Sequence, residues 1–350
     1  MKKLQDTEYM YGSTRVRVLE NRIPSGDRIL ALCDAKSVGE VMSRLSELGI
    51  SPAEGDSRQN ASPEAVSKAR EAMLMGLMRQ AFLDVEEAAP DPEVFSWLRY
   101  PYDCNNIKMA LKCRVRSLGA EETGAMMFDF GSVTPSSVIE AVRDEKYDAL
   151  PPCFREAAEK AAAAFQETGD PRRIDSLLDC ACFRGMTEAA EATGEPALIR
   201  WMQAKTDLLN AVITLRILRM RRGEMGRLFL EDSLLPGGTL DRGFFLTAYN
   251  GGEDALWTAL GSGRMPSWVV SFAKRAEKSG MTLAAVEKAL DDSWTELIRA
   301  DAKAPFGAPV LAGYILGWET AVKNIRIVLA AKEAGLEAAA TRERVRESYV

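Results

Sequence analysis

Not one of the 350 residues is histidine. That absence removes the commonest general base, the Ser-His-Asp type of triad and every His-ligated zinc site. Cysteine is sparse: Cys33, Cys104, Cys113, Cys153, Cys180 and Cys182 are scattered through a chain far too long to need stapling, which is the usage of reduced thiols. Cys180 and Cys182 could be half of a metal site, but no second pair has suitable spacing, and residues two apart on a helix do not face each other. The phosphate-binding loop of nucleotide hydrolases is missing, because Gly251-Gly252 and Gly261-Ser262-Gly263 lack the Lys and Ser/Thr that complete it. Asp291-Asp292 and Glu231-Asp232 are adjacent acids that point apart on a helix, solvated or capping groups rather than an acid–base pair. No catalytic residue, metal ligand or cofactor site is expected.

A long apolar run is missing too. The longest charge-free segment, Ala304 to Trp318, is interrupted by Pro305, Gly307, Pro309, Gly313 and Gly317, and falls short of the about 20 apolar residues that cross a bilayer. The opening MKKLQDTEYMYGSTR has no apolar run behind its lysines, so no signal peptide is expected. Acids outnumber bases, 51 to 45, for a net charge of −6, which argues against nucleic-acid and anionic-membrane partners. The one basic cluster, Arg219, Arg221 and Arg222, reads as the cationic end of a helix.

What the chain does have is repetition. The stretch Asp179 to Gly223 recurs without a gap as Asp291 to Gly335, at a constant offset of 291 − 179 = 112. Each copy has a Leu-Asp, then an aromatic (Phe183, Trp294), then an acid (Asp207, Glu319), then a Gly sixteen residues on (223 − 207 = 335 − 319 = 16). A shorter copy lies upstream in YPYDCNNIKMALKCRVRSLG, where Asp103, Asn106 and Gly119 stand for Asp207, Asn210 and Gly223. In the last copy Val322 takes the place of the Asn, and Asn324 follows two residues later. Three related units of roughly 110 residues are expected, with boundaries at 1–119, 120–223 and 224–350.

Each copy reads as a helix with both ends marked. The acid is placed in or just before the first turn and the cations (Lys112, Arg114, Arg116; Arg216, Arg219, Arg221, Arg222; Arg326, Lys332) in the last turns, where each favours the helix dipole. The Gly suits the left-handed residue that closes a helix. Ile107, Leu111, Val115 and Leu118 fall on one face; Glu319, Lys323 and Arg326 form a polar stripe. The second copy, apolar nearly all round, is expected to be the most buried.

Other helical signals run from end to end: Thr7 to Arg22, a capping box at Ser37–Glu40 opening a helix to Gly49, Glu64 to about Glu87, a second capping box at Thr134-Pro135 and Ser137–Glu140, Pro152 to Gln166, Arg173 to Ala192, Arg242 to Tyr249, Asp254 to Leu260, Ser267 to Lys278 and Leu283 to Ala300. Ser51 to Pro63 reads as a polar loop. Thr134-Pro135 and Leu235 to Thr239 occupy similar places after Gly119 and Gly223, as though two units begin alike. No stretch keeps strand periodicity, so the fold class is all-α.

These residues resemble a known family. The Asp-x-x-Asn at Asp103/Asn106 and at Asp207/Asn210, each leading into a basic helix, the Leu-Asp before the second and third copies, the opening YGSTRVRVLE and the closing LGWETAVKNIRIVLAAKEAG through RERVRESYV are together similar to the C subunit of bacterial and archaeal V-type (A-type) ATPases, the relative of the eukaryotic d subunit. The resemblance implies three similar helical domains in a funnel-like, pseudo-threefold arrangement. It also implies a non-catalytic central-stalk protein that seats the central shaft (D- and F-type subunits) on the membrane rotor ring and couples ATP hydrolysis or synthesis to ion transport. Such a protein would be a single copy in a hetero-oligomeric complex, peripheral on the cytoplasmic face, with no insertion in the membrane. A generic cytoplasmic helical scaffold is the alternative reading, and a helical enzyme using only Asp/Glu and Arg a weaker one.

Overall fold

The structure, a computed structural model, describes residues 4–52, 62–220 and 223–350. Most of the expected loop between Ser51 and Pro63 lies outside the described residues, as do Arg221 and Arg222. Helix, 3₁₀ turns included, makes up 77% of the described residues, which contain no strand. They fold as two compact units, one of Glu93–Lys274 and one that joins Leu4–Pro92 to Arg275–Val350.

Along the chain the first helices are α1 (Met10–Leu19), set between 3₁₀ turns at Asp6–Tyr9 and Glu20–Arg22, then α2 (Gly26–Cys33), α3 (Val38–Glu47) and α4 (Pro63–Ala88). The Glu93–Lys274 unit holds α5 (Tyr100–Val115), α6 (Ala120–Gly124), α7 (Pro135–Arg143), α8 (Pro152–Thr168), α9 (Pro171–Thr193), α10 (Pro196–Met220), α11 (Glu224–Ser233), α12 (Arg242–Gly251) and α13 (Glu253–Leu260), with α14 (Ser267–Lys278) at its end. The chain returns to the unit of α1–α4 with α15 (Leu283–Asp301), α16 (Ala308–Glu333) and α17 (Ala338–Arg344).

The starts follow local chemistry. Ser37, Ser62, Thr134, Asp241 and Thr282 each accept a hydrogen bond from a backbone N–H of the first turn, satisfying a donor with no partner inside the helix. The Ser37 box is offset by one residue: Ser37 Oγ takes the Glu40 N–H at 3.3 Å, while the Glu40 carboxylate takes the N–H of Lys36. Pro63, Pro135, Pro152 and Pro171 stand at the first helical positions, where a missing N–H costs nothing. Two helices are hidden from pattern reading. α2 begins at Gly26, which looks like a stop; α11 begins directly after Gly223.

In the unit containing both chain segments, α16 is the axis. It packs against α1, α2, α3, α4, α15 and α17, and the Tyr314 hydroxyl donates to the buried Asp84 carboxylate at 2.7 Å. Gly12 of α1 lets two backbones meet, since a Cβ there would lie 2.4 Å from the carbonyl oxygen of Ala88 and 3.2 Å from Leu311. Residues 345–350 run extended, held by side chains: Asn324 clasps the Arg346 backbone, Asp292 accepts from Glu347 N at 2.7 Å, and Arg299 donates to Ser348 O at 3.2 Å. The Tyr349 ring lies on Gly313 and Gly317 of α16, and its hydroxyl donates to Glu20 at 2.9 Å.

Candidate functional site

The Asp-x-x-Asn pairs define the most specific polar geometry. Asp103 and Asn106 sit on one face of α5, Asp207 and Asn210 on one face of α10, and all four are buried. Asn106 closes a two-bond ring on the backbone of Phe128, donating to its carbonyl at 2.8 Å and accepting from its N–H at 2.9 Å. Asn210 does the same to Leu235, at 2.9 and 2.8 Å. The Asp one turn earlier binds the next stretch of the same loop. Asp103 accepts from Ser132 N, Ser132 Oγ and Val133 N at 2.9, 2.5 and 3.3 Å. Asp207 accepts from Thr239 Oγ1 at 2.6 Å, Leu240 N at 2.9 Å and the Trp268 indole N–H at 3.1 Å.

The register is the same in both. The carboxylate takes the residues four and five after the one held by the Asn (132 − 128 = 239 − 235 = 4), and a glycine precedes the hydroxyl residue because nothing larger fits. A Cβ on Gly131 or Gly238 would lie 2.3 Å from a carboxylate oxygen of Asp103 or Asp207. The true counterpart of Leu235–Thr239 is therefore Phe128–Ser132, not Thr134-Pro135.

The last copy keeps half of the device. Asn324, fully buried, donates to Arg346 O at 3.1 Å and accepts from Arg346 N at 2.8 Å, at the spacing of the first clasp (346 − 324 = 128 − 106 = 22). Three residues before Asn324 stands Ala321, so no carboxylate of this kind accompanies it. Glu319 is exposed and Val322 is buried; neither joins the clasp.

Several expected placements are corrected. Only Asp103 lies in the first turn of its helix; Asp207 and Glu319 each lie eleven residues inside theirs (207 − 196 = 319 − 308 = 11), beyond the reach of the dipole. What stabilises Asp207 is the donors of a distant loop. Three of the cations find carboxylates on other helices, Lys112 with Asp175, Arg219 with Glu253 and Arg326 with Glu71, while Arg114 and Lys332 donate to the carbonyls of Val142 and Leu336. Gly223 (φ 85°) and Gly335 (φ 70°) have positive φ, but Gly119 does not; Ser117 at φ 56° closes α5. Of the face drawn through α5, Ile107 and Leu111 are buried while Val115 is 48% exposed. The two Leu-Asp acids also differ in use, Asp179 pairing with Lys108 of α5 and Asp291 with Lys323 of α16 and with Arg346.

Burial pushes the Asp103 carboxyl up to about 6, against the pull of its hydrogen-bond donors and Arg99; burial raises Asp207 too. An Asp of the unfolded chain titrates near about 3.9. With the folded value higher, the folded state holds the proton more tightly, so this group's contribution to stability is complete below about pH 4 and is lost as pH rises through about 6. The wild type is expected to lose on the order of 2–3 kcal/mol relative to Asp103→Asn between those limits. The check is the pH dependence of the stability difference between the two proteins, together with a carboxyl-carbon NMR titration. A midpoint below about 4.5 would defeat it.

Among the described residues no three His, Cys, Asp or Glu side chains gather as a metal site. The thiol of Cys153 is pushed up to about 12 by burial, and that of Cys182 is raised by its hydrogen bond with Cys104 and by burial, the reverse of a nucleophile's setting. No helix is long and apolar enough to cross a membrane among the described residues.

Sequence reading misses the clasp role of Asn324, along with Gly131, Gly238 and the donors Ser132, Thr239 and Trp268. The available signal is a glycine followed by a hydroxyl residue about 30 positions after each Asp (131 − 103 = 28; 238 − 207 = 31).

Fold and clasps define an all-helical protein whose most specific buried polar groups bind its own loops. The chain matches the model of the ATP synthase (C/AC39) subunit family over residues 13–344 and belongs to that family. It is similar to the A-type ATP synthase C subunit of Methanothermobacter thermautotrophicus, 24% identical over 351 residues that span 96% of this chain and 87% of that protein. It is also similar to the V-type ATP synthase C subunit of Deinococcus radiodurans, 24% identical over 301 residues, 81% of this chain and 79% of that one.

Proposed function

We propose that this protein is the non-catalytic central-stalk component of a rotary V/A-type ATPase, seating the shaft on the membrane rotor ring and passing torque between ATP chemistry and ion transport. The observation that carries the reading is the family match along nearly the whole chain. A joint needs shape and rigid loops rather than a reactive group. The clasps supply rigidity by fixing the loops after α5 and α10 to buried helix faces.

In this reading the chain is an internal triplication with periods 1–119, 120–223 and 224–350, arranged as a funnel with pseudo-threefold symmetry. The repeated clasp at Asn106, Asn210 and Asn324 supports it. The partners are D- and F-type shaft subunits and the rotor ring, and the protein is peripheral on the cytoplasmic face.

With a tagged chain expressed beside the other components, stalk and ring are expected to co-purify with it, while the isolated protein hydrolyses no nucleotide. A membrane preparation lacking it is expected to keep its ring, lose firm attachment of the peripheral motor and stop pumping ions. Recovery of neither stalk nor ring would reject the assignment; ion pumping intact after deletion would reject the coupling role.

A further inference from the structure

In the unit formed by Leu4–Pro92 and Arg275–Val350, a cleft of 520 Å³ opens beside the extended segment 345–350. Its charged lining is one-sided. Lys288, Arg299, Arg342 and Arg346 face it against the single acid Glu347, in a chain whose net charge is −6. The apolar lining is Leu30, Val345 and Val350, with Leu30 42% and Val350 47% exposed.

We propose that this cleft seats a carboxylate-rich polypeptide segment carrying an apolar side chain. Three of the four cations are arginines, whose planar forks match carboxylates. The protein already places one carboxylate there: Glu347 bonds Arg275 through one oxygen, and its other oxygen lies 3.5 Å from Arg299. Arg346 is held in a largely buried pair with Asp291 and Lys288 in a pair with Asp292, but the engagements of Arg299 and Arg342 are exchangeable. Arg299 reaches Ser348 O only at 3.2 Å and its side chain is 41% exposed; Arg342 is 48% exposed in its pair with Asp34. Exposed ion pairs of this kind are held by little free energy. A free phosphate or lipid headgroup fits less well, because the cleft is large for one such group, has an apolar part, and offers no open backbone nest: the Gly26 N–H at the start of α2 is bonded to Val350 O at 3.1 Å.

The inference adds the chemistry of one contact to the proposed assembly role, and rests on that role only in assigning the segment to another member of the complex. The test therefore uses the isolated full chain and a labelled synthetic peptide with glutamate pairs on either side of a leucine, followed by fluorescence anisotropy. Binding is expected, about tenfold weaker in roughly 0.5 M salt. Arg299→Glu is expected to weaken it about tenfold or more, Arg299→Lys much less, and Arg172→Glu, an exposed cation of the other unit, not at all. If Arg299→Glu does not fold, judged by its circular dichroism and melting, Arg342→Glu replaces it with the same expectation.

No binding of the peptide, or binding indifferent to both charge reversals, overturns the proposal. So does displacement of the peptide by inorganic phosphate at comparable concentration, which would make the cleft a small-anion site, or equal and equally Arg299-dependent binding to phosphatidylserine vesicles. The co-purification described above can succeed while this test fails, so the two readings fall separately.

Discussion

Asn210→Ala is expected to destabilise the protein by about 3–4 kcal/mol, measured by urea or thermal unfolding. The side chain is 2% exposed and makes both bonds to the backbone of Leu235, itself buried. Alanine leaves a carbonyl and an N–H without partners, and each such buried group costs about 1–3 kcal/mol. The loss is a large share of a domain's total stability of about 5–15 kcal/mol. Asn210→Asp is expected to do at least as badly, since it removes the donor and sets a charge against the Leu235 carbonyl. Asn250→Ala, at an exposed position, is the control and is expected to change stability by less than about 0.5 kcal/mol. If Asn210→Ala cost less than about 1 kcal/mol, the clasp would be an incidental contact.

Gly12→Ala tests packing with a prediction of opposite sign to the one propensity makes. Glycine inside a helix is disfavoured against alanine by about 1 kcal/mol, so sequence rules expect a gain. The structure expects a net loss of about 1–3 kcal/mol, because the new Cβ would stand 2.4 Å from the Ala88 carbonyl oxygen, a backbone atom that cannot rotate away, and overpacking of this order outweighs propensity. Gly76→Ala is the matched case: in α4, nothing lies within 4 Å of the added atom, and a gain of about 0.5–1 kcal/mol is expected. A gain from both substitutions would show that α1 can shift off α4 at no cost.

These two cases mark where sequence stops being informative. Helix starts are legible at Thr134-Pro135 and Thr282 because a cap is a local event within four residues. The Asp-x-x-Asn pairs are legible as a repeat but not as clasps, since their loop partners lie 22 to 33 residues away with no shared periodicity and Trp268 lies 61 away on α14. Aligning Gly335 with Gly223 holds for the helix starts (283 − 171 = 308 − 196 = 112) but puts the clasp Asn of the last copy two residues too early. The spacing from Asn to Gly is 13 in the first two copies (119 − 106 = 223 − 210 = 13) and 11 in the last (335 − 324 = 11), because where a helix ends is not tied to which residue it uses to hold a loop. Pattern reading makes α10 too short for a related reason: Asp207 looks like a terminal acid, and nothing local distinguishes such an acid from one satisfied by Thr239, Leu240 and Trp268. Gly12 carries no signal at all, since the close approach that requires it involves Ala88 and Leu311.

Because one unit is contiguous and the other is made from the two outer segments, synthesis on the ribosome imposes an order. Glu93–Lys274 can collapse as soon as it has emerged. α1 to α4 cannot, since the faces they bury against α16 lack their full partner until α16 ends, a further 333 − 92 = 241 residues on. At about 5–20 residues per second that interval is roughly 10–50 s. Throughout it, α1 and α4, which carry Val16, Leu74, Met78 and Phe82, all buried in the finished fold, have each other to pack on but not α16, making the nascent N-terminal segment the part of this protein with the most use for a chaperone.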